Sequence, residues 1–328
     1  MRYSQKNFAH HIAMTLTELK YIVAVARQKH FGHAAEACFV AQPTLSVAIK
    51  KLEDELGVVI FERGGTEVSV TPLGAQIVAQ AERVLEQTAA IKEIANQNKD
   101  PLAGPLRLGI IYTIGPYLLP SLVKTMISTV PQMPLILQEN FTTRLIELLR
   151  QGELDAAIMA LPFPEHGLMV QPLYDEEFVV ALPKHHKWAE RSEIAAQDLK
   201  SETMLLLGNG HCFRDQVLEV CPEMSRFSTA GDGIARTFEG SSLETIRHMV
   251  ASGIGVTVLP QASVPDIHTT DGMVRYVPFN KPVPSRRVVL AWRKSFTRRP
   301  AIEAIRHAVM SCNLHGVSML HDAELTEG

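Results

Sequence analysis

Two cysteines stand nine positions apart in this chain, Cys212 within Gly210-His211-Cys212-Phe213-Arg214-Asp215-Gln216 and Cys221 beyond it. Cys212 follows a glycine-rich break, Gly208-Asn209-Gly210, and opens a stretch that reads as a helix. A thiol at a helix N-terminus beside an arginine tends to ionise, because the helix dipole and the guanidinium both favour the thiolate. The thiolate is the form that attacks peroxide or another sulfur. If residues 212–221 stay helical, a rise of ~1.5 Å per residue sets the two Cα atoms roughly 13 Å apart. A disulfide needs them within ~7 Å. The pair can therefore close only if the segment unwinds, which is the geometry of a switch and not of a staple. The competing reading is inert: the chain has four cysteines in 328 residues, and free cysteines are mostly small buried hydrophobes.

The elements that would position this stretch are short apolar strands alternating with helical stretches. Pro101-Leu102-Ala103-Gly104-Pro105 is a stiff break that marks the start of this region. The pattern predicts strands over 106–111, 135–139, 155–160, 178–182, 203–207, 255–259 and 287–292. Helices are predicted over 116–129, 143–151, 212–220, 241–251 and 301–310. Ser241-Ser242-Leu243-Glu244 supplies a capping box for the fourth of these. Such alternation implies parallel sheets with helices on both faces. A break midway suggests two lobes with a cleft between them, crossed near Tyr174 and near Val274 to Val277. Ligands of such sheets bind at the carboxyl ends of strands. Thr113, Thr142 and the Cys212 segment all fall just after predicted strands, where threonine hydroxyls could hold a small polar ligand such as peroxide. Helix capping is the bland alternative for each threonine. From Ser311 onward the chain is polar, contains Cys312, and is expected to be poorly ordered.

Composition bounds the remainder. Hydrophobic residues at 46% and charged residues at 20% describe a globular protein of two or three domains with ample core. No apolar run approaches the ~18 residues a spanning helix needs. Residues 1–13 read as an N-terminal extension without the apolar core of a signal peptide. The expected compartment is the reducing cytoplasm, where a disulfide is transient and regulatory.

The segment from Leu16 carries three short helical patterns. Leu19, Ile22, Val23 and Ala26 share a face of the first. The second rests on Ala34, Ala35 and Ala37, small enough to let another helix approach. After the turn Phe39-Val40-Ala41-Gln42, Pro43 starts the third, in which Leu45, Ile49 and Leu52 point inward. Gln42, Pro43, Thr44, Ser46 and Lys50 are left near the helix start or outward. This is the layout of a helix-turn-helix whose second helix meets base edges while lysines meet phosphate. Residues 61–70 read as a hairpin wing with Arg63 near its tip. Lys and Arg number six against seven Asp and Glu between Leu16 and Val70. With a whole-chain net charge of -3, affinity for phosphate must come from placement and not from total charge. A small three-helix interaction domain is the alternative.

Thr71-Pro72 then starts a long helix. Ile77, Ala81, Val84, Thr88, Ile91 and Ala95 recur at alternating spacings of four and three, a heptad seam that argues for pairing with a second copy, with packing on its own domain as the alternative. A dimer would set two reading helices on two DNA half-sites.

The residues from about 15 to 310 together resemble the LysR-type transcriptional regulators. The resemblance is carried by Phe31-Gly32-His33-Ala34-Ala35, Ala41-Gln42-Pro43-Thr44-Leu45-Ser46, Ile49-Lys50-Lys51-Leu52-Glu53, Leu56-Gly57, Phe61-Glu62-Arg63 and Thr71-Pro72-Leu73-Gly74. The runs Gly109 to Pro120, Gly210 to Gln216 with Cys221, and Ser242 to Thr245 are similar to the family's peroxide-sensing members. The resemblance implies an α/β protein: a winged helix-turn-helix over 14–70, a dimerising linker helix over 71–100, and a two-lobed α/β regulatory domain, similar to periplasmic binding proteins, over 101–310. Lobe I would take about 104–174 and 277–310, lobe II about 175–276, with 311–328 a flexible tail. Cys212 is implied as the peroxide-reactive cysteine and Cys221 as its resolving partner. Thr113, Thr142 and His211 would line the peroxide pocket, and Arg214 and Asp215 would form a polar network beside the thiolate. The implied partners are double-stranded DNA, a second copy through the linker helix, a homotetramer, and hydrogen peroxide as signal. No cofactor, metal or membrane is implied. Sensing would be stoichiometric, so the chain is not read as an enzyme. Two places depart from the family pattern: twenty residues separate Cys221 from Ser242, and Ala41 stands where serine is more usual. Two other functions remain: a metabolite-responsive regulator whose cysteines are incidental, and a thiol peroxidase.

Overall fold

A computed structural model of the chain describes residues 14–62, 68–96, 100–220, 237–240, 242–264 and 272–320. It divides into two compact units, Met1–Ala95 and Asn96–Gly328.

In the first unit, Thr15 and Glu18 close a capping box on α1 (Leu16–Gln28). The Thr15 amide donates to Glu18 Oε2 at 2.7 Å and the Glu18 amide donates to Thr15 Oγ1 at 3.2 Å. Helix α2 (Phe31–Ala37) packs through the buried Ala34 and Ala35. Helix α3 (Gln42–Leu56) buries Leu45, Ile49 and Leu52, the predicted inward stripe. Its N-cap, Ala41, offers no side-chain hydrogen bond to the first turn. Strands β1 (Phe61–Glu62) and β2 (Ser69–Val70) pair antiparallel as the base of the wing. Glu53 ties α3 to that base, because its Oε1 accepts from the amides of Ile60 and Phe61 at 2.7 and 3.1 Å.

Helix α4 (Pro72–Asn96) starts as expected: Thr71 Oγ1 accepts from the Gly74 amide at 2.9 Å. Gly74 lies so close to the Ile60 carbonyl that no side chain fits there. The seam departs from expectation in its first half. Ile77, Val78, Ala81, Val84 and Leu85 pack on the three-helix core of their own unit, and Arg27 pairs with Glu82 at 2.7 Å. Ile91, farther along, is 66% exposed. A 3-4 spacing marks an apolar face without saying which surface covers it.

The second unit has two cores. Around the first lie β3 (Leu106–Ile111), α5 (Gly115–Thr129), β4 (Leu135–Asn140), α6 (Thr142–Gln151) and β5 (Ala156–Ala160). Strand β6 (Leu168–Pro183) then runs on for 16 residues and belongs to both cores. Next come β7 (Met204–Leu207), α7 (Cys212–Val220), β8 (Thr237–Gly240), α8 (Leu243–Ala251), β9 (Thr257–Pro260) and β10 (Val274–Pro278), around the second core. Strand β11 (Ser285–Arg293), α9 (Arg299–Met310) and β12 (Val317–Met319) return to the first.

The sheets are mixed, where the sequence pattern implied parallel ones. Strand β3 lies parallel to β4 and β5, and β7 parallel to β8. Strand β11 is antiparallel to β5 and β6, and β9 and β10 are antiparallel to β6. The cause is β6 itself. Residues up to Glu177 pair with β11, while Phe178 onward pairs with β9 and β10. The chain thus crosses between lobes at Glu177–Phe178, later than Tyr174, and returns between Pro278 and Ser285, later than Val274 to Val277. Between Ser311 and Leu320 the chain is also more ordered than expected. Cys312 is buried in the first core, and β12 pairs with β6. No described helix is long and apolar enough to cross a membrane.

Candidate functional site

Three strands, each in a parallel pair, point their carboxyl ends at one place. Strand β3 delivers Tyr112 and Thr113, β4 delivers Phe141 and Thr142, and β7 delivers Gly210, His211 and Cys212. Together with Ile111 and Asn140 these residues line a small pocket. Its volume is about 10 Å³, the scale of one water molecule. Four residues named from the sequence, Thr113, Thr142, His211 and Cys212, therefore meet here, although up to ninety-nine positions separate them.

The pocket floor is buried. Thr113 is 3% exposed, and Thr142 and His211 are each 8% exposed. The Thr142 hydroxyl is buried and has no hydrogen-bond partner within the described protein, so its donor and acceptor capacity is available to whatever enters. Gly210 holds the loop with φ +96, and a Cβ there would meet the Phe141 ring at 3.3 Å. A side chain is thus opposed by both backbone conformation and space. Cys212 is the first residue of α7, half-buried, with its side chain against the first core.

Arg214 and Asp215 do not line this pocket. Arg214 turns back along its own lobe, where its Nη1 donates to the Leu207 carbonyl at 2.8 Å. Asp215 is exposed in the first turn of α7, where a carboxylate suits the helix dipole. Cys221 lies outside the described residues, as do Gly231, Asp232 and Gly233. Helix α7 runs unbroken from Cys212 to Val220, so Val220, the neighbour of Cys221, sits ~12 Å along the axis from Cys212.

Sequence reasoning missed the group that holds the pocket floor. Arg286, 3% exposed, donates from Nη1 to Thr113 Oγ1 at 2.8 Å and from Nη2 to the Thr113 carbonyl at 3.1 Å. Its Nε donates to Glu176 Oε2 at 2.7 Å, and Glu176 Oε1 accepts from the Ala262 amide at 3.0 Å. The guanidinium also lies 5.1 Å from the centre of the Phe213 ring, beside Cys212. A signal existed. Asp175-Glu176 and Arg286-Arg287 are charged pairs in strand-forming stretches, and a strand sends consecutive side chains to opposite faces. One of each pair must turn inward. In the observed register Arg286 opposes Glu176 inside and Arg287 opposes Asp175 outside.

Cys312 is a different thiol. It is 4% exposed and donates to the Ala308 carbonyl at 3.2 Å, and burial pushes its pKa up. That is the setting of an inert core cysteine. Among the described residues no three His, Cys, Asp or Glu side chains gather as a metal site.

On α3, Gln42, Pro43, Thr44 and Lys50 are exposed and Ser46 is half-buried, on the side opposite Leu45, Ile49 and Leu52. Arg63 lies outside the described residues.

Residues 16–75 match the family described as bacterial regulatory helix-turn-helix protein, lysR family, and residues 99–311 match the LysR substrate binding domain. A protein of Pectobacterium carotovorum named hydrogen peroxide-inducible genes activator is 40% identical over 296 residues, covering 90% of this chain and 96% of that protein. A solved full-length OxyR variant from Pseudomonas aeruginosa is 52% identical, with a TM-score of 0.64, covering 92% of this chain and 99% of that one. A hydrogen-peroxide-bound OxyR variant from Corynebacterium glutamicum is 34% identical, with a TM-score of 0.57, covering 90% of this chain and 93% of that one.

Proposed function

Because the chain belongs to the LysR family of bacterial regulators, we propose that it is a DNA-binding transcriptional regulator that senses hydrogen peroxide through Cys212. The observation that carries this is the convergence of Thr113, Thr142 and His211 on Cys212 around a pocket of water-like size. Relatives of matching length are named as hydrogen peroxide-inducible activators, which supports the same chemistry.

In the proposed reaction peroxide is held by the Thr142 and Thr113 hydroxyls. The Cys212 thiolate attacks one peroxide oxygen, a sulfur–oxygen bond forms, and the oxygen–oxygen bond breaks. The second oxygen leaves as hydroxide, takes a proton and departs as water. Hydroxyl donors aimed at that oxygen stabilise the charge it gains. Cys212 is left as a sulfenic acid. The Cys221 thiol then attacks the sulfenic sulfur, releases a second water and closes a disulfide. Both sulfurs are oxidised by one electron each, and one peroxide becomes two waters. A helix spanning both residues cannot hold that bond, so closure unwinds α7 and resets its packing against the rest of the lobe. The chain is consumed stoichiometrically until it is reduced again.

Gln42, Pro43, Thr44 and Ser46 are assigned to base edges and nearby phosphates, and Lys50 and Arg63 to phosphate. The exposed Ile91 on α4 is assigned to pairing with a second copy, and pairs of dimers would give a tetramer. Lys50→Ala is expected to weaken binding about equally on every DNA sequence and to lower the slope of log affinity against log salt by about 1. Binding isotherms at several salt concentrations read this, and a loss confined to one base position would instead make Lys50 a base reader.

The direct test is mass spectrometry of the reduced protein before and after one equivalent of peroxide. The expected product has lost two hydrogens and maps to a Cys212–Cys221 link. Reaction of Cys212 no faster than a free thiol would defeat the proposal.

A further inference from the structure

The Cys212 pocket holds three aromatic rings, two of which, Tyr112 and Phe141, the proposed reaction does not use. We infer that Phe141 and Tyr112, closed against His211, form a gate that admits hydrogen peroxide to Cys212 and excludes hydroperoxides bearing a bulky organic group. This deepens the proposed function and rests on it.

Each ring meets the other two edge-on. The centroids of Phe141 and His211 are 4.8 Å apart, those of Tyr112 and Phe141 are 5.3 Å apart, and those of Tyr112 and His211 are 5.8 Å apart. Edge-to-face rings at such distances leave no gap for a further group between them. The triangle is also supported from behind, since the Phe141 ring lies over Gly210, which carries no side chain. Exposure is graded: Thr113, Thr142 and His211 are buried, whereas Tyr112 is 38% exposed. Tyr112 is thus the most exposed of the three rings and stands on the solvent side of the pocket. The space the rings help to line is about 10 Å³, the scale of one water molecule, which leaves no room for a phenyl or tert-butyl group.

The chemistry makes the size of the leaving group decisive. Sulfur attacks the terminal oxygen of the oxidant, the oxygen–oxygen bond breaks, and the other oxygen leaves with the bonding electrons. From hydrogen peroxide that group is hydroxide, which is protonated to water. From an alkyl hydroperoxide it is an alkoxide, protonated to the alcohol, and its carbon substituents must find room beyond the leaving oxygen. In this pocket Tyr112, Phe141 and His211 line that room. Ordinary packing is the competing explanation. It predicts that trimming the rings lowers stability without changing which oxidant is preferred.

The test uses the full-length reduced protein and measures the oxidation rate of Cys212, mapped by peptide, with hydrogen peroxide and with cumene hydroperoxide. The native chain is expected to favour hydrogen peroxide strongly. Phe141→Ala and Tyr112→Ala are each expected to raise the rate with cumene hydroperoxide, relative to that with hydrogen peroxide, about tenfold or more. Phe141→Leu keeps most of the apolar volume without the ring and guards against misfolding; it is expected to give an intermediate preference. An unchanged oxidant ratio in all three variants overturns the gate and leaves peroxide sensing standing. A native Cys212 that reacts with hydrogen peroxide no faster than a free thiol overturns both.

Discussion

Replacing Cys212 by serine is expected to abolish the response to peroxide and to leave DNA binding intact. Serine is close to cysteine in size and suits the start of a helix, and the side chain it replaces is only half-buried. The fold should therefore tolerate the change. The chemistry should not. A serine hydroxyl is not ionised near neutral pH, and it has no counterpart of the sulfenic acid. Peroxide would then meet only the remaining thiols, of which Cys312 is buried with its pKa raised. The DNA-reading helix belongs to the other compact unit, so affinity for the operator in the reduced state should match that of the native protein. Footprinting with and without peroxide reads both halves of the expectation. A Cys212→Ser protein whose footprint still shifts with peroxide would remove Cys212 from the sensor and move the search to bound metabolites.

Arg286→Ala is expected to be the most damaging substitution among the buried charges. The Arg286 and Glu176 side chains are 1% and 2% exposed. Removing one partner of such a pair strands the other charge in the interior, which costs about 3–5 kcal/mol. It also frees the Thr113 hydroxyl and carbonyl from their two donors, and it removes the cation from the Phe213 ring beside Cys212. The double replacement Arg286→Met with Glu176→Leu separates the two consequences. Stability should largely return, because a packed apolar pair is often no worse than a buried ion pair. Fast oxidation of Cys212 should not return, because Thr113 is no longer held. Thermal unfolding and peptide-mapped oxidation rates are the two readouts. Native-like oxidation in the double variant would show that Arg286 serves the fold alone.

Several features were legible in the sequence because they are set within a few residues. The 3.6-residue period of Leu45, Ile49 and Leu52 and the Thr71-Pro72 start each declare a helix through local sterics and capping. The apolar runs at 106–111 and 203–207 declare strands in the same way. The pocket threonines and Cys212 could be named because chain order puts them just after strands, and ligands collect at strand ends in α/β sheets. Cys212 itself was marked by its neighbours, a glycine break before and an arginine after.

Other features depend on which distant segment covers a face, and periodicity is silent about that. The linker seam reads the same whether Ile77 and Val84 meet a second copy or their own three-helix core, and the first half takes the core. The tail after Ser311 is polar, yet Cys312 is buried and Val317–Met319 adds to β6. The mixed sheets follow from β6 passing through both lobes, a choice made by its partners β9, β10 and β11. Arg286 shows the limit most clearly. Its inward turn is a matter of strand alternation, but its contact with Glu176, 110 residues away, exists only in one antiparallel register. A slip of one residue would have turned Arg287 inward instead. Sequence alone therefore determined which residues could do the chemistry, through local pattern and residue type. Tertiary structure decided what surrounds them, because register and burial are settled by partners far along the chain.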